Sequence, residues 1–343
     1  MDDVKPPNQL SARARLQRLH QLAVDALSKY PVTNPTIRYH SSQTNVFFRV
    51  TDISGQIFML RLARPGWRTF QDLNSEAMWL QALGRDTDIS VPGIIPTRTG
   101  EFVLPLTMPG RAETWLVTLM TWVPGRLLGR YLTPQNLEKM GELFARLHIH
   151  GAAFTPPAGF TSRRFEHWLS RGEENLIIAG EETPSERQSQ TLKALTPSKR
   201  TLLERMDRSV EQAYAAMDRS DLRVIHCDLW HDNIKLHAGR LLPFDFEDTV
   251  WGFRCHDIAM AMLDLQDETV ASGHPPLFSA FQRGYSALLP WPTDPIEPYQ
   301  IGRLLWKINW VAGHEPQWLP KMVEKYVPVF EDYEKTGRVI LPS

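Results

Sequence analysis

Cysteine is scarce in this chain of 343 residues: there are two, Cys227 and Cys255. Two cysteines cannot build a disulfide framework, and free thiols in a reducing compartment are the simpler reading. No apolar run is long enough to span a bilayer. The opening Met1-Asp2-Asp3-Val4-Lys5 lacks the basic region and apolar core of a secretory leader. Neither sign of charge is in excess: 38 Lys and Arg face 39 Asp and Glu, for a net charge of −1. A global field for holding nucleic acid or an anionic membrane is thereby excluded, although a local basic patch stays open. No internal repeat is visible. These absences lead to the expectation of a cytoplasmic protein with no nucleic-acid and no membrane partner.

What is present is an ordinary globular composition, 42% hydrophobic and 22% charged, in a chain long enough for one large domain or two lobes. Residues 12–28 read as a helix, with Leu16, Leu19, Ala23 and Leu27 at helical spacing. Val46–Val50 and Ile57–Leu62 are rich in β-branched and aromatic residues and read as strands joined by a turn over Asp52–Gln56. A helix follows from about Gln71 to Leu83, capped by Thr69 with Asp72 three residues on, and Gly84 suits its end. Further strands are expected at Glu101–Leu106 and Thr114–Trp122. Val123-Pro124-Gly125-Arg126 then breaks the pattern. The remainder reads as mainly helical. Thr133 and Pro134 open one helix and residues 197–218 form another; 181–192 read as a polar loop and Val224–Phe246 as a small β-island. Residues 254–340 read as helical again. We therefore expect an α+β chain: a β-rich lobe over 1–120, preceded by the helix 12–28, and a larger helical lobe over 121–343.

The informative segment is Val224-Ile225-His226-Cys227-Asp228-Leu229-Trp230-His231-Asp232-Asn233-Ile234-Lys235-Leu236. It contains His-x-Asp-x-x-x-x-Asn, and Asp245 follows Asn233 by twelve residues within Pro243-Phe244-Asp245-Phe246-Glu247-Asp248. That spacing is the one found in a kinase catalytic loop followed by its metal-binding Asp-Phe pair. Phosphoryl transfer brings a hydroxyl to a phosphate already rich in negative charge, so catalysis is positioning plus electrostatic stabilisation. Mg²⁺ prefers oxygen ligands, and Asp245 and the amide oxygen of Asn233 are suitable donors. Asp228 is left to accept or orient the hydroxyl proton. His226 follows an apolar strand and suits a structural hydrogen bond better than a base.

The segment Phe244–Ala259, together with Ala145-Arg146-Leu147-His148, resembles the aminoglycoside phosphotransferase and choline kinase-like superfamily. That group also holds homoserine kinase-like members and a stress-response Ser/Thr kinase. The resemblance covers roughly residues 30 to 335. It implies a protein-kinase-like bilobal fold with a small β-rich N-lobe and a mostly helical C-lobe. It further implies ATP and Mg²⁺ as cofactors, Asp228 as base, Asn233 and Asp245 as metal ligands, and Asp257 as a brace of the catalytic loop.

The nucleotide side departs from the kinase pattern. Where a strand Lys normally holds the phosphates and pairs with a helix Glu, this chain offers Arg61, with Glu76 as the natural partner; an arginine keeps the electrostatic role. A plain ion pair is the competing reading. No glycine-rich loop precedes it. Tyr39–Asn45 stands there instead, and Ser42 and Thr44 can form turns and donate to phosphate. Leu119-Met120-Thr121-Trp122 is the expected hinge strand, with Met120 and Trp122 at the adenine. Glu247, Asp248, Asp264, Asp267 and Glu268 form an acidic group, either plain helix-start charge or a site for a cationic or hydroxylated substrate, with Asp248 foremost. His231 stands near phosphate or substrate, or with His226, Asp228 and Asp232 in a phosphohydrolase-type metal cluster. His148 and His150 read as helix-end residues. Trp306 and Trp310 suit the core or an acceptor-pocket wall.

The expected activity is transfer of the γ-phosphate of ATP to a hydroxyl of a small-molecule or aminoglycoside-like acceptor. A Ser/Thr protein kinase is the alternative within the enzyme class. A pseudokinase scaffold is the alternative outside it, favoured by the missing glycines and by Arg61.

Overall fold

The computed structural model describes residues 11–108, 113–169, 173–180, 183–269 and 273–342. Met1–Lys5 and residues 181 and 182 lie outside it. The chain divides into two compact units. The first comprises Met1–Gly125, Thr155–Ser162 and Leu242–Glu247; the second comprises Arg126–Phe154, Arg163–Leu241 and Asp248–Ser343.

In the first unit, helix α1 (Ala12–Leu27) starts at Ser11, whose hydroxyl accepts the Ala14 N–H. Strands β1 (Thr36–Ser42), β2 (Asn45–Thr51) and β3 (Ile57–Ala63) form an antiparallel meander. The turn between β2 and β3 is held by Asp52, whose carboxylate accepts the N–H groups of Ser54 and Gln56. Helix α2 (Phe70–Asp86) follows. The sheet is then completed by β4 (Ile94–Ile95), β5 (Leu104–Thr107) and β6 (Thr114–Thr121), in the order β1-β2-β3-β6-β4 with β5 also paired to β6. Period-two alternation decides the faces. Val46, Phe48 and Val50 of β2 and Phe58, Leu60 and Leu62 of β3 pack with Leu22, Ala23, Ala26 and Leu27 of α1 in one core. Arg61, between Leu60 and Leu62, therefore projects from the opposite face, where α2 lies.

Both ends of α2 have local causes. At its start Thr69 and Asp72 form the expected capping box. Its end differs from the expectation: Gly84 lies inside the helix, which runs on to Asp86. Thr87 ends it in extended backbone, with its hydroxyl donating back to the Leu83 carbonyl at 2.7 Å. Glycine is only mildly unfavourable in a helix, and the apolar stripe through Leu83 outweighs it.

The second unit is mainly helical. Strand β7 (Arg126–Leu127) leads through a 3-10 turn into α3 (Pro134–Ala153), capped by Thr133, whose side chain accepts the Asn136 N–H. Helix α4 (Glu186–Ala194) corrects the loop expected over 181–192. Ser185 caps it by accepting from Gln188, but Thr191 alone of its residues is buried, so no apolar stripe announces it. Helix α5 (Pro197–Ala216) and strand β8 (Arg223–Ile225) follow. Strand β9 (Ile234–His237) pairs with β7 and with β10 (Arg240–Pro243), turning at Ala238 and Gly239, which have φ of 48° and 77°. Two successive left-handed residues suit a tight hairpin. Strand β11 (Val250–Gly252) pairs antiparallel with β8. Helices α6 (Arg254–Glu268), α7 (His274–Ser286), α8 (Glu297–His314) and α9 (Leu319–Thr336) complete the unit.

Helices α3 and α7 cross at two glycines. A β-carbon on Gly284 would stand 1.9 Å from the Glu138 carbonyl oxygen, and one on Gly141 would stand 2.0 Å from that of Phe281. Only glycine lets the two backbones approach so closely. The observed layout, a β-sheet N-terminal region and a helical C-terminal part, is the expected α+β class. Among the described residues no helix is long and apolar enough to cross a membrane.

Candidate functional site

Strand β8 ends the apolar run Val224-Ile225, and His226, with no exposed surface, follows it. Its ring Nδ1 accepts the Asp228 N–H at 3.4 Å. Cys227 adopts the left-handed region at φ 68°, an uncommon conformation for a residue with a β-carbon. What holds it is Asp257, on the first turn of α6: Oδ1 accepts the Cys227 N–H at 2.9 Å. The other oxygen, Oδ2, accepts from His148 Nε2 at 3.1 Å, and His148 Nδ1 meets the Tyr285 hydroxyl at 2.9 Å. His148 is wholly buried in this chain of bonds, not at a helix end in solvent. Burial lowers its pKa, against the pull of Asp257. His150 stacks on Phe154 at 5.9 Å.

The turn leaves Asp228 partly open, its side chain 26% exposed. Asn233 sits in the 3-10 turn His231–Asn233. Its amide nitrogen donates to the Asp228 carbonyl at 2.8 Å and to Asp228 Oδ2 at 3.1 Å. With the nitrogen so committed, the amide oxygen of Asn233 is the atom left to act as a ligand. The second Asp228 oxygen, Oδ1, accepts from Arg303 Nη2 on α8 at 3.2 Å. Sequence reasoning missed Arg303. The available signal was an arginine three residues before Trp306 in a helix whose neighbours Gly302, Leu304 and Leu305 are apolar and buried.

His231 is 1% exposed and packs edge-on to Trp230 at 4.9 Å. Burial lowers its pKa, while Asp232, Glu268 and Asp264 act the other way. Asp248 is also buried, at 6%. Among the described residues no group of three His, Cys, Asp or Glu could hold a metal alone. That disfavours a His-Asp metal cluster. The remaining acids are mostly matched: Asp264 pairs with Lys307 at 3.0 Å and Asp267 with Lys325 at 3.2 Å. Trp306 lines a narrow, water-sized cavity of about 10 Å³ with Arg303, Trp168 and Tyr214. Trp310 lies elsewhere, stacked on His314 at 4.7 Å.

In the first unit, Arg61 is 1% exposed and Glu76 2%. Arg61 grips Glu76 in a fork, Nη1 to Oε1 at 3.1 Å and Nη2 to Oε2 at 2.5 Å, while Nε donates to Thr118 Oγ1 at 3.2 Å. A second carboxylate, Glu247, approaches Arg61 Nη1 to 3.7 Å. Burial opposes the charge on Arg61, but Glu76 and Glu247, with a contribution from Asp245, push its pKa up. Glu247 is neither solvated charge nor an open contact for substrate. It accepts from Asn45 Nδ2 and from Trp67 Nε1, and its carbonyl accepts from Arg68 Nε at 3.4 Å. Asp245 itself sits at φ 64°, in the left-handed region like Cys227 and Ala238 before it. Phe246 beside it is buried edge-on to Trp79 at 5.5 Å.

Where a loop is expected over Tyr39–Asn45, β1 runs to Ser42 and turns tightly through residues 43 and 44 into β2; Ser42 and Thr44 are exposed, and the Ser42 hydroxyl accepts from Arg64 Nη2 at 2.8 Å. On β6, Met120 is 8% exposed and pairs with Met59 and Ile94. Thr121 N–H donates to the Gly93 carbonyl and Trp122 N–H to that of Ile57. The sheet thus takes the amide donors of this strand up to Trp122. Trp122 receives the Arg49 guanidinium at 5.3 Å and the His40 ring edge-on at 5.5 Å.

The sequence profile of the phosphotransferase enzyme family matches residues 36–291. The chain belongs to that family. Membership makes it a phosphotransferase enzyme of kinase-like fold. The fold recurs in an amicoumacin kinase bound to AMP-PNP, Ca²⁺ and Ami, at 17% identity and a TM-score of 0.75 over 97% of this chain and 98% of the other. It recurs in a microcompartment-associated aminopropanol kinase, at 22% identity and a TM-score of 0.74 over 94% and 100%. A spectinomycin phosphotransferase in complex with ADP and spectinomycin gives 12% identity and a TM-score of 0.59 over 93% and 94%. No curated protein matches the chain by sequence.

Proposed function

We propose that this phosphotransferase moves the γ-phosphoryl group of Mg²⁺-bound ATP to a hydroxyl of a small-molecule acceptor. The bond between the γ-phosphorus and its bridging oxygen breaks, and a bond from the acceptor oxygen to that phosphorus forms. The hydroxyl proton passes to the Asp228 carboxylate. Asn233, through its amide oxygen, and Asp245 would hold Mg²⁺, whose chemistry is to neutralise charge on the phosphate oxygens. Arg61 and Glu76, locked together beneath the sheet, support this side of the nucleotide site structurally, and Ser42 and Thr44 offer hydroxyl donors to phosphate. Met120 and Trp122 flank the adenine. His226 and Asp257 position the Asp228 turn.

The observation that carries this reading is the Asn233 amide. Both bonds of its amide nitrogen run to Asp228, so the proposed base and the proposed ligand orient each other and the amide oxygen is left for a metal. A scaffold without turnover has no use for that arrangement. A small acceptor is the reading we adopt, because the structural relatives named above include kinases of small molecules, amicoumacin and aminopropanol among them. Calorimetry of ATP binding with and without Mg²⁺ tests the reading. The wild type should bind with a Mg²⁺-dependent increment that Asp245→Asn abolishes. A wild type that binds no ATP in either condition overturns it.

A further inference from the structure

We infer that Arg303 is a positioning residue for the reaction: by bonding to one oxygen of Asp228 while Asn233 bonds to the other, it fixes the plane of the carboxylate that receives the acceptor's proton. This rests on the phosphotransferase reading above and adds to it a residue of α8, 75 positions from the base.

The torsion that turns a carboxylate about its Cβ–Cγ bond is broad, without sharp minima. A single hydrogen bond would leave the plane of Asp228 free to swing. Asn233 Nδ2 donates to Oδ2 at 3.1 Å and Arg303 Nη2 donates to Oδ1 at 3.2 Å. One donor on each oxygen sets the plane. Proton acceptance is not blocked by this, because a carboxylate offers about four lone-pair sites. Orientation matters because phosphoryl transfer tolerates little error in alignment: a misplacement of about 1 Å can cost about a hundredfold in rate.

Arg303 has the support that such a role needs. Helix α8 is tied to its surroundings on both sides of it. Before Arg303, the Tyr299 hydroxyl donates to the Ala213 carbonyl of α5 at 3.2 Å. After it, Asn309 Oδ1 accepts the Leu176 N–H at 2.8 Å, and Asn309 Nδ2 donates to the Glu174 carbonyl at 3.0 Å. The guanidinium rests on Trp306, its central carbon 4.5 Å from the ring centroid, and Trp306 Nε1 donates to Glu173 Oε1 at 3.0 Å. A planar guanidinium stacks on an aromatic face in a way that an ammonium does not. The Arg303 side chain is 12% exposed against 26% for Asp228, so the donor is the better-held partner and the carboxylate is the one that is set. Packing alone does not account for this arginine. Its Nε is buried with no hydrogen-bond partner, and an unsatisfied buried donor costs stability. Asp228, for its part, keeps enough contact with solvent to be hydrated without a cation.

The test reads Mg²⁺-ATP hydrolysis, with water as the acceptor, beside crystal structures of the variants. Arg303→Met should lower kcat about 10–100-fold while KM for ATP stays within about twofold, and Arg303→Lys should recover part of the loss. Trp306→Leu leaves the arginine but removes its platform, and should lower kcat about three- to tenfold. Lys307→Met takes a charge of the same sign from the same helix, where it pairs with Asp264 at 3.0 Å. It should leave kcat within about twofold of the wild type. In crystals of Arg303→Met the Asp228 carboxylate should take more than one orientation within an unchanged fold. Wild-type kcat in Arg303→Met overturns the inference. So does a rate above wild type, which would make the contact a brake. An equal loss in Lys307→Met also overturns it, since the effect would then belong to the field and not to the contact. If ATP binds with a Mg²⁺-dependent increment but is not hydrolysed, the crystals decide: an Asp228 carboxylate that keeps its single orientation without Arg303 overturns the inference and leaves the phosphotransferase reading standing. Absence of ATP binding removes both.

Discussion

Replacing Arg61 by methionine strips Glu76 of its counter-ion in a site where neither side chain exceeds 2% exposure. Three hydrogen bonds go at once, two to Glu76 and one to Thr118. Breaking a buried ion pair by removing one partner costs about 3–5 kcal/mol, whereas replacing both partners by apolar groups is often near neutral. Arg61→Met should therefore lower stability by about 3–5 kcal/mol, a fall of roughly 1.5–2.5 M in the urea midpoint for a slope near 2 kcal/mol/M. Glu76→Leu alone should cost a similar amount, by leaving Arg61 with Glu247 at 3.7 Å as its remaining close carboxylate. The double variant should sit within about 2 kcal/mol of the wild type. The pH dependence carries a sign. Burial already raises the Glu76 pKa against the pull of Arg61. Without Arg61 it rises further above its unfolded value, so the folded variant favours the neutral acid. Its penalty should then be smaller at pH 5 than at pH 8. Urea titration of the four proteins at both pH values decides. Single variants within 1 kcal/mol of the wild type, or a double variant equal to the sum of the singles, would refute the coupling.

Gly284→Ala should destabilise by about 3 kcal/mol, since its β-carbon meets backbone at 1.9 Å, while Gly84→Ala, with nothing within 4 Å inside α2, should stabilise by roughly 0.5–1 kcal/mol; thermal unfolding separates them. His148, held neutral by burial, has a folded pKa below its ordinary value of 6.5. Its contribution is present above that value and lost as pH falls toward the folded pKa, so wild-type stability should drop more steeply below pH 6.5 than that of His148→Gln. Asp228→Asn should cut turnover by 10²-fold or more while ATP affinity stays within a few-fold, as measured by a coupled assay beside calorimetry.

Local chemistry is what the sequence displays well. The β2–β3 hairpin shows in two β-branched runs, the start of α2 in Thr69 and Asp72, and the His226–Asn233 segment in its spacing. Contacts between distant parts of the chain are hidden. Asn45 and Glu247 are 202 residues apart and Arg303 and Asp228 are 75 apart. Nothing near Glu247 in sequence says that its charge is spent inward, on Asn45 and Trp67. His148 reads as the polar end of a helix because its partners Asp257 and Tyr285 lie 109 and 137 residues away. Helix α4 hides for the opposite reason: it is held by capping and by its ends, and so lacks the apolar period that reveals buried helices.

Two departures from the kinase pattern, an arginine where a lysine is usual and no glycine-rich loop before β2, have one physical explanation in this structure. A lysine presents a compact charge that one carboxylate can neutralise, but a guanidinium presents five donors. Buried at 1% exposure, Arg61 needs acceptors beyond Glu76. Thr118 takes one donor, and Glu247 adds a second carboxylate at 3.7 Å. Two carboxylates around one cation leave an excess negative charge, which is tolerable only if Glu247 is hydrogen-bonded itself. Asn45 and Trp67 supply those bonds. Asn45 opens β2, and its amide's bond to Glu247 anchors the start of that strand to the Asp245–Glu247 segment. A glycine at position 45 would have no side chain to offer, so the buried arginine and the asparagine support each other through the Glu247 carboxylate.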